Sequence, residues 1–362
     1  MISAEKTRPL LFERYPELGR NIAWLPLDTS GTKVERLSCM GHDSLWIKRD
    51  DLLSPYYGGN KVRKLEFVLG DAIQKGAKRI VTIGGIGTNH GLATAIFCHK
   101  LGIACTLILF NQQITQFVRH NLRLFYHYGA ELIYHPGMVH AGLHYYLLQR
   151  LRLPRAYFLS AGGSSLIGTL GFVNAAFELV RQVEAGEMPH PSYVFCATAS
   201  NGTLAGLSLG FALAGFKTTV IGVRVGVDRV GPVQFSTPAA ARAMTKAVYD
   251  LMKRNCRDVP AIEISPPFML NGYVGAGYGI PTEKGLAAVE RFKEGAGINL
   301  EPVYTGKTCA AVLDFIKDAA HAHDTVLFWN TFNSVDLSRE SQEVDYHKLP
   351  KELHHCFEAN GN

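Results

Sequence analysis

The sequence predicts an α/β protein with parallel-rich sheets arranged in two domains. Three observations support this. The chain has 362 residues, too many for one small core. From Lys78 onward, short β-branched apolar runs alternate with segments of helical spacing. That alternation occurs as two separate runs, and each implies strands buried on both faces by right-handed crossovers.

The first run opens with a strand over Arg79–Ile83, then a helix through Leu92 and Ile96 to Leu101. A strand at Ile103–Phe110, a helix at Ile114–Tyr128 and a strand at Glu131–Tyr134 follow. A helix over His140–Leu151 and a strand over Ala156–Ser160 close it. The second run places strands at Tyr193–Ala197, Thr218–Val223 and Thr325–Trp329, with helices at Thr203–Ala214, Pro238–Arg254 and Gly306–Ala320. Two such domains are expected to hold a ligand in the cleft between them.

Composition narrows the function classes. Charged residues make up 19% and the formal net charge is only +6, with basic residues scattered, so nucleic acid is not an expected partner. The start, Met1–Lys6, has no apolar core of an export signal. The best membrane candidate, Leu204–Phe216, is too short to span, so no membrane association is expected. The seven cysteines are odd in number, widely spread and set partly in apolar runs, as free thiols of a reducing cytoplasm are. His354-His355-Cys356 lies in a polar tail and is read as surface, so no metal is expected.

Gly58-Gly59-Asn60-Lys61 carries the first chemical signal. Leu65, Val68, Leu69 and Ala72 after it keep the i, i+3, i+4, i+7 spacing of one buried helix face, so Lys61 falls in the first turn. The positive helix end and the neighbouring Arg63 and Lys64 all disfavour its ammonium. A lysine kept partly neutral can condense with an aldehyde.

Two glycine loops complete the pattern. Gly84-Gly85-Ile86-Gly87-Thr88-Asn89-His90-Gly91 joins a strand to a helix, but its glycines miss the dinucleotide spacing. Asn111 stands where a ribose-binding acid would end the next strand, which disfavours a nicotinamide cofactor. Thr198-Ala199-Ser200-Asn201-Gly202-Thr203 follows a strand and opens a helix, a good cup for a phosphate. Gly306-Lys307-Thr308 ends like a nucleotide-binding loop, but Glu301 replaces its first glycine. A perturbed lysine plus a phosphate cup without a nucleotide fingerprint points to pyridoxal 5'-phosphate.

These segments resemble the 1-aminocyclopropane-1-carboxylate deaminase and D-cysteine desulfhydrase family of pyridoxal-phosphate enzymes. The residues that carry the likeness are Lys48-Arg49-Asp50-Asp51, Gly58 to Glu66, Ile83 to His90, Ala161 to Ser165, Tyr278-Gly279-Ile280-Pro281 and Pro302 to Lys307. The resemblance implies a two-domain, tryptophan-synthase-β-like fold (fold type II). Residues 1–63 and 173–362 would form the large cofactor-binding domain, and residues 64–172 a small α/β domain. It also implies a homodimer and a small amino-acid substrate.

Roles follow from the same resemblance. Lys61 would bond to the cofactor aldehyde and later move the substrate Cα proton. Asn89 would meet the ring hydroxyl, and Thr88 and His90, with backbone N–H groups, the substrate carboxylate. Thr198, Ala199, Ser200, Asn201, Gly202 and Thr203 would hold the phosphate, with Lys64 an additional contact. Tyr278 and Tyr304 match active-site tyrosines. Thr305 matches the position facing the pyridine nitrogen, where the ring-opening deaminases carry glutamate. A threonine supplies no counter-charge there, so the ring is a weaker electron sink, suited to β-elimination. Thr331 likewise resembles the desulfhydrase type.

The chain departs from the family at Thr88, which replaces a serine, after His90, where no arginine follows, and at Phe332-Asn333, which replaces a glycine pair. The expected activity is α,β-elimination of a β-substituted amino acid, with ring-opening deamination or a cofactor-binding protein of altered catalysis as the alternatives.

Overall fold

Two sheets organise the chain, in a computed structural model that describes residues 8–27, 29, 31–230 and 233–358. The start read above for an export signal lies outside them. The chain divides into two compact units: residues 1–67 with 166–334, and residues 68–165 with 335–362.

The first unit contains a six-stranded sheet. Its strand order is Val34–Arg36, Leu45–Lys48, Val326–Trp329, Tyr193–Thr198, Thr219–Arg224 and Phe268–Leu270. All pairs are parallel except the one between Val34–Arg36 and Leu45–Lys48. Alternating side chains feed opposite faces. Ile47, Phe195, Ile221 and Phe328 pack with Phe292, Cys309 and Val312, from the helices Glu283–Ala296 and Thr305–Phe315. Val194, Cys196, Val220, Leu327 and Trp329 pack with Phe172, Leu204 and Phe211, from the helices Leu166–Glu184 and Gly202–Ala214. Those two helices approach closely because Gly206 and Gly210 of the second face the first; a Cβ at Gly206 would sit 2.4 Å from Phe172 Cβ. A third core joins Leu11, Phe12 and Tyr15 of the N-terminal segment to Val248 and Met252 of the helix Pro238–Asn255.

The second unit contains a four-stranded parallel sheet, ordered Glu131–His135, Ala104–Phe110, Arg79–Gly85 and Tyr157–Leu159. The helices Asn89–Leu101 and Gln116–His127 pack together and against its strands. Ala141 and Tyr145 join Val81, Ile83 and Ile108 in a further core.

Several elements differ from the sequence expectation. The single helix expected over His140–Leu151 is α-helical at Met138–Leu143, π-helical at His144–Leu148 and α-helical again at Gln149–Arg152. The helix expected to run to Ala320 stops at Phe315, and a 3₁₀ turn occupies Ala319–His321. The tail from Val335, expected with the large domain, groups with the second unit. There Arg119 Nε donates to Cys356 O at 2.7 Å, and Leu349, Leu353 and Cys356 are buried, so the tail is less peripheral than its polarity suggests.

Candidate active site

Lys61 is the second residue of the helix Asn60–Gln74. Backbone geometry explains the two glycines before it. A Cβ on Gly58 would lie 1.9 Å from Asp51 O. Gly59 has φ +82° and would clash with Thr331 O at 2.6 Å. The loop is pinned from the opposite side by Asn60 N donating to Thr331 O at 3.2 Å and Gly58 N donating to Asn333 Oδ1 at 2.5 Å.

Burial lowers the Lys61 pKa to about 8. The sequence reasoning attributed the shift to cationic neighbours, and the structure corrects part of that. Arg63 is neutralised: its guanidinium donates to Asp50 at 2.6 and 2.8 Å and to Glu178 at 2.9 Å. Lys64 does repel Lys61, but the consequence falls on Lys64, whose own pKa burial and that charge push well down.

The turn beneath Lys61 rests on a buried ionic network. Lys48 Nζ donates to Glu178 Oε1 at 2.6 Å, Gln182 Oε1 at 2.5 Å and Thr32 O at 2.5 Å. Trp329 Nε1 donates to Asp50 Oδ2 at 2.6 Å. Two cations, Lys48 and Arg63, thus face two carboxylates, Asp50 and Glu178, with their donors directed at named acceptors. Burial opposes the charge on Lys48, Arg63 and Glu178; the pairing outweighs it at Arg63 and Glu178, whereas the Lys48 pKa stays lowered.

The loop Thr198 to Thr203 meets the Lys61 turn within the same unit: Asn60 Nδ2 donates to Thr203 Oγ1 at 3.4 Å. Asn201 takes a left-handed backbone, φ +60°, and gives the helix Gly202–Ala214 no side-chain cap. Its amide nitrogen donates instead to Phe235 O. Its Oδ1 is buried and has no hydrogen-bond partner among the described residues. Asn330 Nδ2, next to Thr331, is in the same position. An uncapped helix start with unmet polar atoms nearby is a suitable anion site.

Thr305 opens the helix Thr305–Phe315, and its hydroxyl accepts from Glu301 N at 3.0 Å while donating to Glu301 O at 3.1 Å. The Glu301 carboxylate caps the same turn, accepting from the backbone N–H groups of Val303, Tyr304 and Thr305. Burial raises its pKa, and those N–H groups counter the rise. The Tyr278 and Tyr304 hydroxyls share a short hydrogen bond, and burial raises both phenol pKa values.

In the second unit, Thr88 caps the helix Asn89–Leu101, accepting from Gly91 N at 3.2 Å. His90 is buried, with Nε2 3.0 Å from Thr82 Oγ1. Thr82 donates its hydroxyl hydrogen to Leu159 O at 2.8 Å, so it accepts from His90 Nε2–H. Gly87 N donates to Gln112 Oε1 at 3.2 Å, and Asn121 Nδ2 donates to Gly87 O at 2.9 Å, fixing the glycine loop.

Sequence reasoning missed Gln112, the acceptor role of Asn333, which stood out only as a departure from the family, the capping role of Glu301 and the Lys48–Glu178 network. For the network, the available signal was Lys48-Arg49-Asp50-Asp51, a charged run that closes the apolar run Leu45-Trp46-Ile47.

An amine held near neutrality beside an uncapped helix start is what a phosphorylated aldehyde requires. The donor set therefore fits pyridoxal phosphate, and the architecture is that of the fold type II enzymes that use it. The chain belongs to the pyridoxal-phosphate dependent enzyme family, whose model matches residues 25–331. It is 32% identical over 325 residues to a D-cysteine desulfhydrase of Serratia proteamaculans, covering 85% of this chain and 92% of that one. It is 30% identical over 338 residues to the nocardicin C-9' epimerase of Nocardia uniformis, covering 91% and 97%. A crystal structure of an ACC deaminase homologue superposes with a TM-score of 0.75 at 29% identity, covering 90% of this chain and 95% of that chain. Pyridoxal phosphate is the cofactor.

Proposed function

We propose that the protein catalyses α,β-elimination of a small amino acid bearing a β leaving group, as a D-cysteine desulfhydrase does. The products would be an α-keto acid, ammonia and the leaving group. The observation that carries this reading is Lys61, an amine brought to a pKa of about 8 in the first turn of its helix, next to Asn60, whose side chain reaches Thr203.

Pyridoxal phosphate supplies, when bound, a conjugated sink for the electron pair left at the substrate Cα. Lys61 holds the aldehyde and moves the proton at Cα, since a pKa of about 8 leaves part of the amine free at neutral pH. The helix start at Gly202, with Thr198, Ala199, Ser200, Asn201 and Thr203, holds the phosphate, and Lys64, whose pKa burial and Lys61 push down, is an additional contact that the phosphate charge would help to protonate. Tyr278 and Tyr304 offer a coupled pair of hydroxyls to orient the substrate. For the Thr88–His90 segment, the proposed roles are the substrate carboxylate for Thr88 and the backbone N–H groups, and the ring hydroxyl for Asn89. The His90 ring, bonded to Thr82, positions that turn.

Thr305 favours elimination over ring opening. Its hydroxyl hydrogen is directed at Glu301 O, and the Glu301 carboxylate is occupied by backbone N–H groups. Thr305 itself brings no counter-charge to a ring nitrogen, and Glu301 is engaged by the backbone, so the sink is weak and prompt expulsion of a β group suits it. Thr331 supports the same choice. We also infer a reducing, cytoplasmic setting, supported by seven free cysteines, and a homodimer, which the family resemblance implies.

The test is keto-acid release by the holoenzyme from D- and L-cysteine, β-chloroalanine, serine and diaminopropionate. Pyruvate from at least one of them is expected, at a rate above that of α-ketobutyrate from 1-aminocyclopropane-1-carboxylate. The reverse order would identify a ring-opening deaminase. Cofactor binding without any turnover would identify a non-catalytic homologue.

A further inference from the structure

Gly306-Lys307-Thr308 ends like a nucleotide-binding loop in sequence, yet each of its residues is engaged by the protein itself. Gly306 lets the helix Thr305–Phe315 approach the helix Glu283–Ala296: a Cβ there would sit 2.8 Å from Val289 Cγ2 and 3.0 Å from Gly285 O. Thr308 Oγ1 donates to Tyr304 O at 2.8 Å. Lys307 is the unusual member. It has no exposed surface, and it sits in the first turn of its helix, at the positive end of the dipole. Burial depresses its pKa, and the Glu301 charge opposes that shift. An apolar side chain of similar length would fill the place without stranding a charge, so the amine calls for a partner. That partner is Val274 O, which accepts from Lys307 Nζ at 2.6 Å and is its one acceptor among the described residues.

Val274 belongs to a loop, residues 271–281, that forms no helix or strand and carries glycine at 272, 275, 277 and 279. Gly272, Gly275 and Gly279 have φ of +96°, +69° and +80°, so the path of the loop runs through residues of high backbone freedom. Such a segment needs anchors from outside, and side chains supply them. Lys307 holds Val274 O, the Tyr273 hydroxyl donates to Asp314 Oδ2 at 3.3 Å, and the Tyr278 hydroxyl is bonded to that of Tyr304. Tyr278 is 45% exposed, so packing of its ring does little to fix it. The bond from Lys307 is shorter than the one from Tyr273 and is charge-assisted, and it acts four residues from Tyr278. Tyr304 is fixed independently, because its N–H donates to the Glu301 carboxylate. A buried cation and a buried carboxylate thus each hold one member of the tyrosine pair through the backbone.

We propose that Lys307 is a positioning residue for the elimination: by holding Val274 O it keeps the Tyr278 hydroxyl on Tyr304, so that the two phenols meet the substrate as one fixed unit. This rests on the reading above, in which that pair orients the substrate. The experiment has two arms. In the first, the full-length protein is digested with a trace of chymotrypsin, and cleavage after Tyr273 and Tyr278 is timed in wild type, Lys307→Met and Lys307→Arg. Methionine fills the slot without a donor and should speed both cuts about tenfold, the change in open population that loss of one charge-assisted hydrogen bond gives. Arginine keeps a donor and should restore slow cleavage. The second arm is a double-mutant cycle in kcat/KM on the best of the β-substituted substrates. Lys307→Met and Tyr278→Phe should each cost about a hundredfold, as misplacement of an orienting group does. The double variant should fall no more than about threefold below either single one, because both changes remove the same interaction. Losses that multiply would show that Lys307 acts apart from Tyr278 and would overturn the proposal. So would wild-type cleavage rates in Lys307→Met, or faster cleavage at tyrosines throughout the chain, which would mark general destabilisation. A holoenzyme that turns over none of the substrates would refute the elimination reading, while the cleavage arm, which needs no turnover, would still decide whether Lys307 holds the loop.

Discussion

Glu178 is the group whose removal tests how the Lys61 turn is held. Its Oε1 accepts from Lys48 Nζ at 2.6 Å and from Thr32 N at 3.0 Å, and its Oε2 accepts from Arg63 Nη1 at 2.9 Å. Lys48 has no exposed surface, and burial already depresses its pKa. Glu178→Ala would leave Lys48 bonded to Thr32 O and Gln182 without its carboxylate partner, while Arg63 keeps Asp50. Truncating one partner of a buried pair costs about 3–5 kcal/mol. Urea unfolding at pH 7 should show a loss of that size. The double change Lys48→Met/Glu178→Leu should recover most of it, because no charge is then stranded. Arg63 and Lys48 hold the Glu178 carboxyl well below the usual range. Its contribution is therefore complete above an unfolded pKa of about 4.3 and falls as acid approaches the folded value. The wild-type advantage over Glu178→Ala should persist at pH 5 and shrink below pH 4. A loss under 0.5 kcal/mol, or a double variant no better than the single one, would refute the reasoning.

The remaining predictions concern the lysine loop. Lys61 has a folded pKa near 8, below its unfolded value, so apo-protein stability should rise with pH from about 8 to 10. Lys61→Met apo-protein should lose that slope and be more stable than wild type at pH 7, measured by denaturant titration. Gly58→Ala places a Cβ 1.9 Å from Asp51 O and should abolish cofactor binding through displacement of the loop, seen as loss of the absorbance band. Asn333→Ala removes the acceptor of Gly58 N and should weaken cofactor affinity by about tenfold, measured by equilibrium titration.

Much of the architecture was legible because the central strands are buried on both faces and read as continuous apolar runs, as Ala104–Phe110 and Tyr193–Thr198 do. The strands Val34–Arg36, Leu45–Lys48 and Phe268–Leu270 were not legible: each is three or four residues long, and sheet pairing rather than local pattern defines it. Leu166–Glu184 hid for another reason. It is buried almost throughout and carries Gly168 and Gly171, so no polar stripe marks its period. The π turn at His144–Leu148 keeps helical composition and differs only in hydrogen bonding.

At the site, the position of Lys61 in a first turn and the phosphate-type helix start at Gly202 could be read from spacing. The origin of the Lys61 shift could not, because Glu178, 115 positions along the chain from Arg63, joins Asp50 in neutralising it only once the chain has folded back. Asn333 and Glu301 act on backbone N–H groups of Gly58 and Thr305, contacts for which sequence has no periodic signature.

The most direct measurement is borohydride reduction of the protein saturated with pyridoxal phosphate, followed by peptide mapping. The pyridoxyl mass should be found on Lys61, with Lys61→Ala protein unlabelled and without an absorbance band above 400 nm. Label on Lys64 or on no single lysine, or an unchanged band in Lys61→Ala, would contradict the assignment of Lys61 as the group that bonds the cofactor.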